Sequence, residues 1–425
     1  MFNSYIIYNY FMKIKQFITS FTLFFLSAFS FTCLAQGSWT QKADYPLIAR
    51  YHANGFSIGN KGYVAFGAGD FVPNTLSLVE YDPLTNIWTQ KPDFPGGSRI
   101  KTQVFVINNI AYFVSGAFWN LSTGIYIGYN DVWKYDPSTN SYTQLNNFPG
   151  TPRHGGFAFS FDGKGYFGLG VDDDDQVLYD FWQYNPTTDT WIQKTNFPGV
   201  PCRNGFQFSI DKNGYIGLGF TTGMSQLNTV WQYDASQDSW TQKNNFPSVG
   251  LSWLSCFTMN GKGYVVTGKK LSLNVLSTEF WEYTYQTDSW TSMPAFTGVA
   301  RVAASGFSVA GKAYTGLGYS STYLDDFWEF TPSTVGVNQT NEKQLAEVEI
   351  YPNPSNSEVN ISIKNPDHKE ISLEIFDTEG KYITQFKPGN NSQIITAEHS
   401  LFSAGVYYVA ISIDKKTFVK KLVIQ

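Results

Sequence analysis

Apolar positions in this chain fall into short alternating runs, not into helix-spaced faces. Phe206, Phe208 and Ile210 alternate with Gln207 and Ser209, a period of two that puts each set on one face of a strand. Turn residues follow at 211–214, and a glycine-rich second strand runs back over 215–219. Residues 229–233 read as a third strand, 234–238 as a turn and 239–243 as a fourth strand. The unit is a meander of four short antiparallel strands, which cannot bury both of its faces alone.

The same unit recurs along the chain. Trp39, Trp88, Tyr142, Trp191, Trp240 and Trp290 stand at intervals of 49, 54, 49, 49 and 50 residues, usually within Trp-Thr-Gln-Lys. Seven residues before each of the last five stands a tyrosine: Tyr81, Tyr135, Tyr184, Tyr233 and Tyr283, with Phe330 as the sixth copy. Stacking twisted four-stranded sheets radially buries their faces and gives a propeller. Trp39 precedes the first complete set of strands, and the last set ends at Phe330 with no tryptophan after it. The segment around Trp39 is therefore expected to supply the outer strand of the blade at 301–332, beside residues 326–330.

A glycine-containing second strand, then Tyr, six residues and Trp, in six copies over 37–334, resembles the kelch repeat. The resemblance implies an all-β, six-bladed kelch-like β-propeller over 37–333. Kelch units usually carry adjacent glycines, whereas this chain has Gly67-Ala68-Gly69, Gly168-Leu169-Gly170, Gly217-Leu218-Gly219 and Gly316-Leu317-Gly318. These glycines are read as packing positions where backbones and bulky Tyr and Trp rings approach closely. No helix or Lys follows them, as a phosphate loop requires.

Both termini carry their own signals. Lys13 and Lys15 precede an apolar stretch over 17–34 that ends in Cys33-Leu34-Ala35, which reads as a secretion signal over 1–36. Met12 is taken as the functional start and 1–11 as an upstream extension. Serines and threonines dilute the stretch, so a cleaved signal is preferred to a retained anchor, leaving no stable transmembrane segment. Beyond a polar linker at 334–344, residues 345–425 show strand signals at 347–351, 359–364, 372–376, 406–413 and 418–424. Tyr351-Pro352-Asn353-Pro354, Ile375-Phe376-Asp377-Thr378-Glu379-Gly380-Lys381, Leu401-Phe402-Ser403-Ala404-Gly405-Val406-Tyr407 and Lys420-Lys421-Leu422-Val423-Ile424 resemble the C-terminal sorting domain of the type IX secretion system. That resemblance implies a small β-sandwich recognised by the secretion machinery, and a protein released from or held on the surface of a Gram-negative bacterium. An ordinary accessory β-sandwich is the alternative.

Composition narrows the functions. Aromatics reach 18% against 15% charged residues, in keeping with short strands and tight turns. The net charge of −5 and the lack of any Lys/Arg block argue against nucleic acid as a partner. Of the cysteines outside the signal, Cys202 aligns with Leu251 of the next repeat. Cys256 thus lies roughly 16 Å deeper along a strand, beyond disulfide reach. The acidic run at 172–175 lacks the alternating spacing of a calcium loop and reads as solvated, so neither metal nor cofactor is assigned.

The connections from fourth to first strands end in Arg50, Arg99, Arg153, Arg203 and Arg301, with Ser252 or its neighbour in the fifth unit. Five arginines at one mouth of the channel would suit an acidic glycan or acidic peptide. Alternatively each bonds backbone carbonyls or an acidic residue of a neighbouring blade. His52 and His154 lie near the same mouth. The long loop at 116–130 bears Phe118, Trp119, Tyr126 and Tyr129, which could stack on sugar rings, meet a protein or cover the blade end. The reading is an exported protein- or carbohydrate-binding module with no catalytic residue assigned. Its alternative is a secreted sugar-modifying enzyme, because some kelch-like propellers resemble sialic-acid epimerases that need no cofactor. Kelch-like copper oxidases require a histidine and tyrosine cluster that is not evident here.

Overall fold

A computed structural model of the chain describes residues 37–70, 75–333, 347–364, 371–377, 382–387, 393–413 and 416–425. The secretion signal at 1–36 and the linker at 334–344 lie outside the described residues. The chain divides into two units, 1–333 and 334–425.

The first unit contains six four-stranded antiparallel meanders. Blade 1 runs through Asn54–Ile58, Lys61–Ala65, Leu78–Asp82 and Ile87–Gln90; blade 2 through Gln103–Ile107, Ile110–Val114, Val132–Asp136 and Ser141–Leu145. Blade 3 is Phe157–Phe161, Lys164–Gly168, Phe181–Asn185 and Thr190–Lys194, and blade 4 is Phe206–Ile210, Asn213–Gly217, Val230–Asp234 and Ser239–Lys243. Blade 5 is Ser255–Met259, Lys262–Val266, Phe280–Thr284 and Ser289–Ser292. Blade 6 takes Ser305–Val309, Lys312–Gly316 and Phe327–Pro332 from the end of the unit and Gly37–Gln41 from its start, with Trp39 paired to Phe330. This is the expected closure. First strands of adjacent blades lie side by side around a central channel of about 360 Å³.

The Tyr-to-Trp signature binds one blade to the next. Each tyrosine is fully buried, and its hydroxyl donates to the residue five positions on: Asn86, Asn140, Asp189, Asp238 or Asp288. Those acceptors sit at positive φ in the turn before the fourth strand, where Asn and Asp are tolerated best. Four of them also accept a backbone N–H from the preceding blade, at Ala43, Asn146, Thr195 and Asn244. The corresponding residue before Asn140 is Pro92, which has no N–H to give.

The second-strand glycines are likewise inter-blade positions. A Cβ on Gly62, Gly165, Gly214 or Gly263 would meet Phe307, Phe105, Phe159 or Phe208 of the preceding blade at 2.0–2.4 Å. A different glycine is common to all six blades: Gly67, Gly116, Gly170, Gly219, Gly268 and Gly318, each at positive φ. Its N–H donates to a carbonyl of the next blade, at Arg99, Arg153, Cys202, Leu251, Arg301 and Arg50 in turn. Gly67 thus matches Gly170, a shift of two from the register in which Gly67-Ala68-Gly69 aligns with Gly168-Leu169-Gly170. The close approaches at Gly168, Gly217 and Gly316 are chiefly to backbone oxygens, not to Tyr or Trp rings.

The second unit holds a three-stranded sheet of Glu347–Tyr351, Val359–Lys364 and Gln393–Ala397 and a four-stranded sheet of Tyr382–Phe386, Ile371–Asp377, Gly405–Ile413 and Lys416–Ile424. Val359, Ile361, Leu373, Ile375, Val409, Ile411 and Leu422 form its buried core. Two of these strands, Tyr382–Phe386 and Gln393–Ala397, are additional to the five expected. Asn353 anchors the Tyr-Pro-Asn-Pro segment to the closing strand, its Nδ2 donating to the Lys421 carbonyl at 2.7 Å and its Oδ1 accepting from Val423 N at 2.9 Å. Among the described residues no helix is long and apolar enough to cross a membrane.

Candidate functional site

Four of the five arginines lie inside the blades, not around the mouth. Arg50, Arg99, Arg153 and Arg301 are each 0–1% exposed. In each, Nε donates to the carbonyl two residues earlier, and Nη1 to a carbonyl sixteen residues on, at Phe66, Ser115, Leu169 or Leu317. Three also form two-armed pairs with a carboxylate of their own blade, Asp131, Asp180 or Asp326. The same carboxylates accept the indole N–H of Trp133, Trp182 and Trp328. Arg50 has Thr75 and Ser77 hydroxyls instead and lies over the Tyr45 ring. These guanidinium groups are spent on holding the loop after the second strand, within the blade and not across to a neighbour.

Arg203 differs because it stands one residue later in the repeat. Cys202 and Leu251 fill the arginine position in blades 4 and 5, as the carbonyls taken by Gly170 and Gly219 show. Both are buried, and both cysteines are free thiols. Arg203 Nη1 reaches across to Asp175 of blade 3 at 2.5 Å, its guanidinium lies over Phe220, and its Nε is buried without a hydrogen-bond partner.

The mouth itself is built by the next residue in each blade. His52, Lys101, Gly155, Asn204, Trp253 and Ala303 all have φ between 53° and 63°. Gly155, Asn204, Trp253 and Ala303 each donate a backbone N–H to the carbonyl of the preceding member, and His52 donates to Ala303. Left-handed backbone at His, Lys and Trp costs on the order of 1 kcal/mol each, so their side chains occupy this rim at an energetic cost.

A cavity of about 330 Å³ opens there, lined among others by Lys101, Tyr126, His154, Asp175, Arg203 and Trp253. Lys101 Nζ sits 4.0 Å over the Tyr126 ring and has no hydrogen bond or ion pair among the described residues. Burial, and then the charge of Arg203, lowers its pKa to about 7, with Asp175 opposing. Burial and the charges of Lys101 and Arg203 push His154 down to about 2, and burial with Lys101 and His154 holds His52 well below its usual value. Both imidazoles are therefore neutral near pH 7, and His154 Nδ1 is buried without a partner. Tyr126, Phe220 and Trp253 give the cavity aromatic walls. Trp119 packs at a tilt against Tyr126, which meets His154, and a separate cluster has Tyr51 in contact with His52, Tyr319 and Tyr323.

The long loop folds into a hairpin, Ala117–Asn120 with Ile125–Gly128, and Tyr129 covers Arg99. In the acidic run, Asp172 accepts N–H groups of its own turn, Asp173 accepts Gly128 N at 2.7 Å and Asp175 pairs with Arg203. Among the described residues no group of three or more His, Cys, Asp or Glu side chains could hold a metal ion. Sequence reasoning placed His52, His154 and Trp119 near this mouth but missed Lys101, Asn204 and Trp253. Their signal is positional, the residue two beyond the arginine slot of each repeat.

A ring of six such blades followed by a separate small β domain defines a kelch-like propeller fold. Residues 349–425 match the family described as the secretion system C-terminal sorting domain. A solved structure described as that of YjhT, a kelch-type propeller, is similar to this chain with a TM-score of 0.58 at 17% identity, over 68% of this chain and 97% of that one. No curated protein matches it. The sorting domain addresses the chain to the type IX machinery, so the protein is secreted or held at the surface of a Gram-negative bacterium.

Proposed function

We propose that the propeller is a binding module that takes a carbohydrate at this mouth. The observation that carries the reading is the pairing of aromatic rings with a polar floor. Tyr126, Phe220 and Trp253 line a cavity that also presents Lys101, Arg203 and Asn204. Ring faces suit the C–H faces of sugars, and fixed donors suit their oxygens. A glycan array probed with the exported chain tests it. Binding should be lost in Tyr126→Ala and weakened in Trp253→Ala; capture of a surface protein with no glycan bound would replace carbohydrate by protein as the ligand.

A second reading, a sugar-modifying enzyme, draws on Lys101. An amine that is half neutral at pH 7, beside the neutral imidazole of His154, is placed to accept a proton. Incubating the protein with the glycans it binds and following their anomeric and ring protons by NMR separates the two, since a binding module leaves them unchanged.

A further inference from the structure

We propose that the exporter grips the sorting domain by the outward face of its four-stranded sheet, through a row made by Tyr382, Phe376, Tyr408 and Lys421. The partner is a protein of the type IX machinery whose receiving surface is an apolar groove with a carboxylate at one end. This assignment rests on the sorting-domain match over 349–425 and not on the carbohydrate reading.

Strand register builds the row. Phe376 pairs with Tyr382 on one side and with Tyr408 on the other, and Tyr408 pairs with Lys421 of the edge strand. The four residues stand in one line across all four strands, on the face opposite to Leu373, Ile375, Val409 and Leu422 of the core. Val406 and Val423 pair two residues further along the same face and extend its apolar surface.

A sheet with one face on a core commonly turns polar side chains outward. The three-stranded sheet of this domain keeps to that rule. Its outward rows are Tyr351, Asn360 and Thr396, then Glu349, Ser362 and Ile394, so that Tyr351 and Ile394 stand at opposite ends with polar residues between them. Thr396 Oγ1 donates to Asn360 Oδ1 at 2.9 Å in the middle of that face. The four-stranded sheet instead sets three aromatic residues side by side, with Tyr382 51% and Tyr408 42% exposed.

Packing within the domain explains one of two adjacent tyrosines. Tyr407 is buried against Phe402, and its hydroxyl donates to the Ser403 carbonyl at 2.9 Å. The Tyr408 ring and hydroxyl have no partner among the described residues, and Lys421 has no ion pair among them. Phe376 meets only Tyr382, edge-on at 6.0 Å, among the described rings. Three of the four sequence motifs also converge here. Phe376 belongs to Ile-Phe-Asp-Thr-Glu-Gly-Lys, Lys421 to Lys-Lys-Leu-Val-Ile, and Tyr408 directly follows Gly-Val-Tyr. Exposed rings are the anchors that protein interfaces bury, and an ammonium at the end of the row orients a carboxylate partner.

Pulse-chase of the full chain in the producing bacterium, with released and periplasmic pools blotted separately, tests the row. Tyr408→Ser and Phe376→Ser should each slow export about fivefold, while Tyr408→Phe stays within about twofold of the parent. Lys421→Glu should slow export more than Lys421→Met, and Lys421→Arg should leave it unchanged. Ile394→Ser, which removes an exposed apolar residue from the other sheet, should change the rate less than about twofold. Calorimetry of each retained chain should show the sorting domain unfolding as in the parent. Phe376 is the least exposed of the row, so Tyr408→Ser and Lys421→Glu decide the matter if Phe376→Ser unfolds. Parent-rate export of those two variants, with the chain lacking 345–425 still retained, overturns the row and leaves the sorting assignment standing. Normal release of the truncated chain overturns both. Equal slowing by Ile394→Ser overturns the row, because the exporter then senses both faces. A dimer of the purified chain that Tyr408→Ser dissolves, with export unchanged, overturns the exporter as occupant in favour of a second copy.

Discussion

Trp39 faces Phe330 across the seam of the ring. The two residues pair in register, their rings lie 5.2 Å apart, and Trp39 also meets Phe280 and Phe296 edge-on. The first strand of the unit thus closes its last blade, and the indole packs into the core shared with blade 5. Trp39→Ala should cost about 3–5 kcal/mol in urea unfolding, the range for truncating a buried aromatic. Trp39→Phe should cost only about 1 kcal/mol, because Trp39 Nε1 is buried without a partner and its loss removes no hydrogen bond. A Trp39→Ala loss below about 1 kcal/mol would show that the seam is not what holds the ring shut.

The Arg301 and Asp326 pair makes a pH-dependent prediction. Burial pushes the Asp326 carboxyl up, but the hydrogen bonds and charge of Arg301 outweigh it and hold the pKa below the usual value. A depressed carboxyl contributes stability that is present above its unfolded value, about 3.9, and is lost as pH falls through the folded one. Asp326→Asn leaves a guanidinium that is 0% exposed without its counter-charge, and should cost about 3–5 kcal/mol at pH 7. Chemical unfolding of both proteins at pH 7 and pH 2.5 checks this: the difference should shrink at the lower pH. A pH-independent difference would mean the pair acts only through shape.

Much of this fold was legible because each blade repeats one solution. The Trp and Tyr spacing gave the blade count and the seam, since an aromatic at a fixed place in a two-residue period states which strand it is on. The mouth was harder to read. A run of arginines near the ends of equivalent connections looks the same in sequence whether the guanidinium points into the channel or back under its own loop. The difference lies in Asp131, Asp180 and Asp326, which stand 25–32 residues away, each two residues before a tryptophan, so that the partner is marked by a repeated Asp-x-Trp and not by anything next to the arginine. Lys101 carries no motif at all. Its chemistry comes from Tyr126, on the long hairpin of its own blade, and from Arg203, which belongs to blade 4 and meets it only across the ring.

The inter-blade clamp predicts unequal costs for equivalent substitutions. Asp189 accepts the Tyr184 hydroxyl and the Asn146 N–H, and its carbonyl accepts from the Asn146 side chain. Asn140 accepts the Tyr135 hydroxyl, but the residue that would supply the N–H is Pro92. Asp189→Ala should therefore destabilise by about 1 kcal/mol more than Asn140→Ala, one hydrogen bond's net contribution. Denaturant midpoints of the two variants, at unchanged slope, measure the difference. Equal losses would assign the whole effect to the tyrosine hydroxyl.

The sorting domain predicts a separation of export from folding. Asn353 is exposed enough to be replaced without opening a core, yet it makes two hydrogen bonds to the closing strand, at Lys421 and Val423. Ser355 continues the contact, donating its N–H to the Val423 carbonyl and accepting from Gln425 N. The Tyr-Pro-Asn-Pro segment and the Lys-Lys-Leu-Val-Ile segment therefore form one surface, held by a side-chain amide. Deleting residues 345–425 should leave the protein in the periplasm, detected by cell fractionation and blotting. Asn353→Ala should reduce export several-fold while the propeller's thermal unfolding stays unchanged, because the two units fold around separate cores. Normal release of the truncated chain would refute the role of the tail. Full export of Asn353→Ala would show that the two segments are recognised separately.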